Sequence, residues 1–147
     1  MSDKTIIFPT DFSDVSIAAL PWAIDMANSL GARIECLYIV EEPQIYSSLD
    51  MGAVAIPTTG ELEESAKQRM TKFVSEKLSS APKGSTGSVA IGHAATEIVN
   101  TARDLDAAMI VMTTHGYSGV KHMLLGSTTE DVLRNASCPV LSVRGAA

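Results

Sequence analysis

The chain has 147 residues, of which 46% are hydrophobic and 19% are charged, with 17 acidic side chains against 11 basic ones. This composition is typical of one globular domain, here residues 1–147, and it excludes a disordered or fibrous chain. The net charge of -6 argues against a general nucleic-acid binder, whose phosphate contacts require a basic surface.

The apolar runs and the cysteines indicate neither export nor membrane insertion. The longest apolar run is far shorter than the ~20 residues that cross a bilayer, and the run before Pro9 is too short for a signal peptide. Cys36 and Cys138 lie far apart within apolar runs, unlike the cysteines of a disulfide scaffold or a metal cluster. We therefore expect reduced thiols in a cytoplasmic protein that has no membrane or nucleic-acid partner.

Five short apolar runs are spaced along the chain like the strands of a sheet. In chain order they are Thr5 to Phe8, Arg33 to Val40, Ser88 to Ile91, Ala107 to Met112 and Val140 to Val143. The fourth run is apolar throughout, which is typical of a central strand buried on both faces. Because amphipathic segments separate the runs, the pattern predicts an α/β domain with a doubly wound, Rossmann-like parallel sheet and about four helices.

Capping signals mark where helices begin. Residues that can cap a helix precede three of the amphipathic segments: Ser13 or Asp14, Thr58, and Ser127. Glu61 and Glu130 follow Thr58 and Ser127 at the spacing of a capping box, so both pairs predict a helix start. Pro21 falls inside the first helix, for which we therefore expect a bend or a late start.

Polar segments follow three of the predicted strands, at the edge where parallel sheets bind ligands. They are Pro9-Thr10-Asp11, Ile39-Val40-Glu41, and residues 113–128. The last segment ends in Gly126-Ser127-Thr128 at a helix N-terminus, where unpaired N–H groups and the helix dipole favour an anion such as phosphate. The alternative is that Ser127 only caps its own helix and the glycines only turn the chain.

Five motifs are distributed over nearly the whole chain. They are Phe8-Pro-Thr-Asp-Phe-Ser13, Gly92-His-Ala-Ala-Thr-Glu-Ile98, Met112-Thr-Thr-His-Gly-Tyr-Ser-Gly119, Leu124-Leu-Gly-Ser-Thr128 and Cys138-Pro-Val-Leu-Ser-Val143. Together they resemble the universal stress protein family. The resemblance implies the strand order 3-2-1-4-5 and a homodimer formed through the last strand, Pro139 to Val143. An exposed edge strand also needs covering, which favours pairing with a second copy.

The resemblance extends to a nucleotide-binding motif. ATP-binding members of the family carry a glycine, two residues, a second glycine, nine residues, a third glycine, and a serine or threonine. Gly116, Gly126 and Ser127 match the last three positions, but Thr113 stands at the first glycine. A glycine there lets ribose or phosphate pass close to the backbone and permits a positive φ. A threonine would block binding if the site strictly needs a glycine, and would offer a hydroxyl if the backbone is ordinary.

The resemblance implies a site of eleven residues: Pro9, Thr10, Asp11, Ile39, Met112, Thr113, His115, Gly116, Gly126, Ser127 and Thr128. The first four would hold adenine, Met112 and Thr113 would line the ribose, and the glycines with the last two hydroxyls would hold the phosphates. His115 would be structural or lie beside the phosphates rather than act as a catalyst. Asp11 has a second interpretation, as a carboxylate that caps the following helix.

These observations lead to a hypothesis of an ATP-binding regulatory or sensing module in the stress response, with Mg²⁺ accompanying the nucleotide. No general base is identifiable, so any ATP hydrolysis should be slow. The alternative is a nucleotide-free, dimeric, chaperone-like member of the family, with Thr113 as its marker. A nucleotide hydrolase or transferase is disfavoured because the first loop lacks the Ser-Gly-Gly sequence of the related ATP pyrophosphatases.

Overall fold

The computed structural model describes residues 4–41, 58–114 and 126–144, and these contain one sheet of five parallel strands. In chain order the strands are β1 (Lys4–Pro9), β2 (Ala32–Val40), β3 (Thr86–Ile91), β4 (Met109–Thr113) and β5 (Val140–Val143). Their order in the sheet is β3-β2-β1-β4-β5, and every neighbouring pair is parallel. The predicted fold class and strand order are thus confirmed.

Helices cover both faces of this sheet. They are α1 (Asp14–Ile17), α2 (Leu20–Leu30), α3 (Thr59–Lys77), α4 (Ala94–Asp104) and α5 (Ser127–Asn135). Residues of α2 and α3 form one core cluster with the sheet, and residues of α4 and α5 form a second cluster on the opposite face. From β1 the chain builds the sheet outward through β2 to β3, and it then crosses back so that β4 lies on the other side of β1. The carboxyl ends of β1 and β4 therefore form the switch point at which such sheets bind ligands.

The first predicted helix is divided into two. The helix α1 ends at Ile17, and α2 begins at Leu20, which places Pro21 in the first turn of α2. A proline in the first turn costs no helical hydrogen bond, because the first N–H groups of a helix have no partner within it. Gly31 ends α2 with a φ of 63°, a left-handed conformation that glycine adopts readily.

Two of the predicted helix caps are confirmed, and one is wrong. The side chains of Ser13 and Thr58 accept backbone N–H groups at the starts of α1 and α3. At α5 the cap residue is Gly126 instead, and Ser127 is already helical. The predicted capping box of Ser127 and Glu130 therefore does not form, and glycine supplies no side-chain acceptor for the first amides of α5.

One strand begins later than predicted. The run from Ala107 predicts a strand start there, but β4 begins at Met109. The N–H of Ala107 donates to the carbonyl of Ala102 at 2.8 Å, so this residue still belongs to the turn that closes α4. Apolar character alone does not distinguish such a turn from the strand that it enters.

The alkaline stability of the fold should depend on Cys36, a free thiol that is fully buried in the first core cluster. Burial, with a smaller contribution from the charge of Glu35, raises the pKa of this thiol from 9.0 to about 12. The protonated thiol therefore contributes its full stabilisation below pH 9. This stabilisation is lost as the pH rises toward 12, because the thiol then ionises in the unfolded chain but not in the folded one. We expect the unfolding free energy to fall more steeply in the wild type than in Cys36→Ala, by up to about 1.4 kcal/mol per pH unit in this interval.

Urea unfolding of both proteins between pH 8 and pH 12, in steps of about half a pH unit, measures this difference. The raised pKa of Cys138 contributes equally to both proteins and cancels in the comparison. If the unfolding free energies of the two proteins fell in parallel with pH, Cys36 would not be the cause of the loss of stability at high pH.

Candidate functional site

A cleft of about 480 Å³ opens at the carboxyl ends of β1, β2 and β4. Small-molecule sites typically occupy about 300–1,000 Å³, so the cleft can hold a nucleotide-sized ligand. Nine of the predicted site residues line it: Pro9, Thr10, Asp11, Ile39, Met112, Thr113, Gly126, Ser127 and Thr128. The other two, His115 and Gly116, lie outside the described residues. The fold therefore brings every described member of the predicted site to one place.

The loop after β1 is held together by side-chain hydrogen bonds. The Thr10 hydroxyl lies 2.8 Å from the Ser16 hydroxyl and accepts the N–H of Phe12 at 2.9 Å. The Asp11 carboxylate accepts the N–H of Ser13 at 2.9 Å and also the Ser13 hydroxyl. The N-cap of α1 is Ser13, so the second interpretation of Asp11, as the carboxylate that caps this helix, is wrong. Asp11 instead holds the cap residue in place, and it also lines the cleft.

Phe12 anchors this loop to the sheet and to α3. Its φ of 66° is left-handed, a conformation that is strained for an aromatic residue. The ring stacks on Tyr38 with centroids 4.9 Å apart and meets Phe73 edge-on at 5.5 Å. The guanidinium of Arg69 lies over the same ring at 4.8 Å. These ring contacts stabilise the strained backbone next to Asp11.

Thr113 has an ordinary backbone. It is the last residue of β4, pairs with Val143 of β5, and does not have a positive φ. Its side chain is only 5% exposed and lines the cleft. A threonine therefore occupies the first glycine position of the motif without backbone strain, and it places a hydroxyl-bearing side chain in the cleft wall.

The N-terminus of α5 lies at the β4 end of the cleft. Gly126 donates its N–H to the carbonyl of Thr114 at 2.6 Å, and Ser127 and Thr128 follow it along the cleft wall. The N–H groups of the first helical turn have no acceptor within the helix, and the helix dipole is positive at this end. This end of the cleft can therefore accept an anionic group such as phosphate.

Thr129 attaches this helix to the sheet. This residue is 2% exposed, and its hydroxyl donates to the carbonyl of Thr113 at 2.8 Å. Replacing Thr129 with valine removes the hydroxyl, so the carbonyl of Thr113 loses this hydrogen bond. We expect the unfolding free energy to fall by about 1–2 kcal/mol, measured by urea unfolding. Thr128→Val, at the neighbouring half-buried position, is the control, and an equal loss there would show that the tie to Thr113 contributes nothing specific.

Seven further residues line the cleft: Ser16, Leu37, Tyr38, Glu41, Ala94, Ile98 and Thr129. Two of these carried a usable signal in the sequence, since Glu41 directly follows a predicted strand and Ala94 lies in the motif Gly92-His-Ala-Ala-Thr-Glu-Ile98. They also contact each other, because the Glu41 carboxylate accepts the N–H of Ala94 at 3.2 Å. The others come from the body of a strand or helix, where the sequence pattern indicates only core packing.

Two other classes of feature are absent from the part of the chain that the structure describes. Within residues 4–41, 58–114 and 126–144, no three His, Cys, Asp or Glu side chains are grouped so that they could hold a metal ion. None of the helices in these ranges combines the length and the apolar character that crossing a membrane requires.

Comparison with known proteins agrees with this fold. Residues 3–144 match the model of the universal stress protein family. Universal stress protein MJ0531 of Methanocaldococcus jannaschii is 34% identical over 147 residues, covering 96% of this chain and 82% of the relative. The solved structure of MJ0577, from the same organism, superposes with a TM-score of 0.77 at 28% identity, covering 100% of this chain and 99% of that one.

A more distant structure, the universal stress protein from Archaeoglobus fulgidus in complex with dAMP, shows the same fold. It has a TM-score of 0.65 at 21% identity and covers 98% of this chain and 100% of that one. The family match over nearly the whole length, the identity to MJ0531 and the shared strand order lead to one conclusion. The chain belongs to the universal stress protein family.

Proposed function

We propose that this chain binds an adenine nucleotide, ATP, in the cleft at the carboxyl ends of β1, β2 and β4. The observation that carries the proposal is that all nine described residues of the predicted site line this one cleft. The universal stress protein that was solved with dAMP supports an adenine nucleotide as the ligand class. Binding of this kind would make the protein a regulatory or sensing module of the stress response.

The polar groups of the cleft suit the two ends of such a ligand. Asp11 and the backbone of Ile39 lie at the β1 and β2 side, where they can accept and donate hydrogen bonds at the edge of adenine. Gly126, Ser127 and Thr128 lie at the β4 side, where N–H groups and hydroxyls can donate to phosphates. Mg²⁺ would accompany the phosphates, because this ion is commonly bound through phosphate oxygens and water.

The nucleotide-free alternative depended on Thr113. Its extended backbone gives no reason for a glycine at this position on grounds of φ, which removes one of the two arguments for the nucleotide-free alternative. The carboxylates among the described cleft residues are Asp11 and Glu41, and both accept backbone N–H groups. Neither is placed as a free general base, so any hydrolysis of bound ATP should be slow.

Thermal unfolding of nucleotide-stripped protein tests the ligand class. A ligand that binds only the folded state stabilises it by about 2.7 kcal/mol at a hundred times its Kd. ATP and dATP should raise the melting temperature, and GTP at the same concentration should raise it less. Equal shifts for ATP and GTP would contradict recognition of adenine, and no shift with any nucleotide would contradict binding in the cleft.

We also propose a cytoplasmic homodimer. The strand β5 is at one edge of the sheet, and its four residues remain partly exposed. Pairing of Pro139 to Val143 with the same segment of a second copy would cover that edge. The free thiols of Cys36 and Cys138 suit a reducing compartment. Sedimentation should give twice the chain mass at micromolar concentration, and a predominant monomer would contradict the dimer.

A further inference from the structure

Two helix N-termini border the cleft, and either could attract a phosphate. The helix α4 begins at Ala94 and α5 begins at Ser127, and both of these residues line the cleft. Each N-terminus has N–H groups without an acceptor inside the helix and carries the positive end of a helix dipole. Geometry alone therefore leaves open which end of the cleft takes the phosphates of a nucleotide.

Carboxylates already occupy the surroundings of the α4 N-terminus. Glu41 Oε1 accepts the N–H of Ala94 at 3.2 Å from a position 53 residues away in the chain. Glu97, in the first turn of α4, packs against Gly92 so closely that a Cβ on this glycine would lie 2.8 Å from Glu97 Oε1. Among the described residues, neither carboxylate has a lysine, arginine or histidine within ion-pair distance. At this end, therefore, lie two carboxylates that no basic side chain in the described part of the chain compensates.

The surroundings of the α5 N-terminus have the opposite character. The cap residue is Gly126, which has no side chain, and the first-turn acid, Glu130, is exposed. Glu130 also pairs with Arg134 at 2.9 Å, so its charge is compensated on the outer surface of the helix. The two ends of the cleft thus differ in charge even though both are formed by helix N-termini.

We propose that Glu41 determines the direction in which the ligand binds. Its carboxylate takes the anion position at the N-terminus of α4, so phosphates are repelled from this end and directed to α5. The uncharged base then occupies the end formed by β2 and β1. This inference depends on the proposed nucleotide binding and adds a residue that selects which end of the cleft receives the anionic part.

Adenosine and pyrophosphate, used as separate calorimetric probes of the full chain, test this role. The wild type should bind one pyrophosphate, at α5, and should bind adenosine at the same time. In Glu41→Gln the amide oxygen can still accept the N–H of Ala94, so the helix start is preserved while the charge is removed. Pyrophosphate should then bind at both ends, with affinity at the α4 end rising by at least about tenfold, and should compete with adenosine.

Glu130→Gln is the matched control, because it removes the same charge from the first turn of the other helix. Like the wild type, this variant should bind one pyrophosphate per chain and should bind adenosine at the same time. If Glu41→Gln behaved like the wild type, the role of Glu41 would be overturned while the proposed function would stand. The same would follow if both variants gained a second pyrophosphate site, because this would indicate a general effect of net charge. Failure of the wild type to bind either probe would overturn the proposed function, and this inference with it.

Discussion

A carboxylate at position 127 should weaken ATP binding strongly and leave the fold at least as stable as before. Ser127 is the first residue of α5 and lines the cleft where the phosphates are proposed to lie. Like charges about 4 Å apart cost on the order of 4 kcal/mol at an intermediate effective dielectric, before screening by salt. We therefore expect Ser127→Asp to weaken ATP binding by at least about 100-fold. The same aspartate should stabilise α5 by about 0.3–1 kcal/mol through the helix dipole.

Ser127→Asn separates charge from shape in this experiment. Asparagine has nearly the size of aspartate but no charge, so its affinity for ATP should remain within about fivefold of the wild type. Calorimetric titrations give the affinities, and urea unfolding gives the stabilities of the same three proteins. If Ser127→Asp bound ATP as well as Ser127→Asn, the phosphates would lie elsewhere than at α5.

Removal of the Phe12 ring should cause the largest loss of stability at the site. Phe12 is 8% exposed, and its ring contacts Tyr38, Phe73 and Arg69 at centroid distances between 4.8 and 5.5 Å. Truncation of a buried phenylalanine to alanine typically costs about 3–5 kcal/mol. We expect Phe12→Ala to lose an amount in this range, measured by urea unfolding. ATP affinity should also fall, because the loop that carries Asp11 loses its anchor.

Phe12→Leu provides the comparison for this prediction. Leucine retains most of the buried volume but neither the ring stacking nor the cation–π contact. Phe12→Leu should therefore lose less unfolding free energy than Phe12→Ala. Tyr38→Leu, which removes the partner ring from β2, should reproduce part of the effect. A loss below about 1 kcal/mol in Phe12→Ala would mean that the ring does not hold the loop.

Much of the fold could be predicted because its signals are local. An apolar run such as Ala107 to Met112 shows a strand in the sequence itself, and Thr58 with Glu61 shows a helix start within four residues. The order of the strands is not local, and only the family resemblance supplied it. The agreement of strand order with the resemblance then places the ends of β1, β2 and β4 side by side.

The errors arose where two local signals competed. The late start that Pro21 indicated is confirmed, since α2 begins at Leu20, but the pattern joined to this helix the residues that form a separate helix, α1. The spacing of Ser127 and Glu130 indicated a capping box, but Gly126 takes the cap position one residue earlier. Sequence patterns place helix ends with an uncertainty of a few residues, which is enough to move a cap.

The missing parts of the site depend on contacts between distant segments. Phe12 becomes an anchor only because Tyr38 and Phe73 meet its ring, and Glu41 becomes a cap only because Ala94 lies beside it. Thr129 likewise acts through the carbonyl of Thr113. No pattern along the chain contains these pairings, since each joins two elements that the fold brings together.

Calorimetric titration of nucleotide-stripped protein with ATP and Mg²⁺ is the decisive experiment for nucleotide binding in this cleft. We expect saturable binding of one ATP per chain, with Thr113 in place, and weaker binding of GTP. Circular dichroism of the stripped protein should first confirm that it is folded. Absence of binding heat at several temperatures, in both the folded wild type and Thr113→Gly, would contradict nucleotide binding in this cleft.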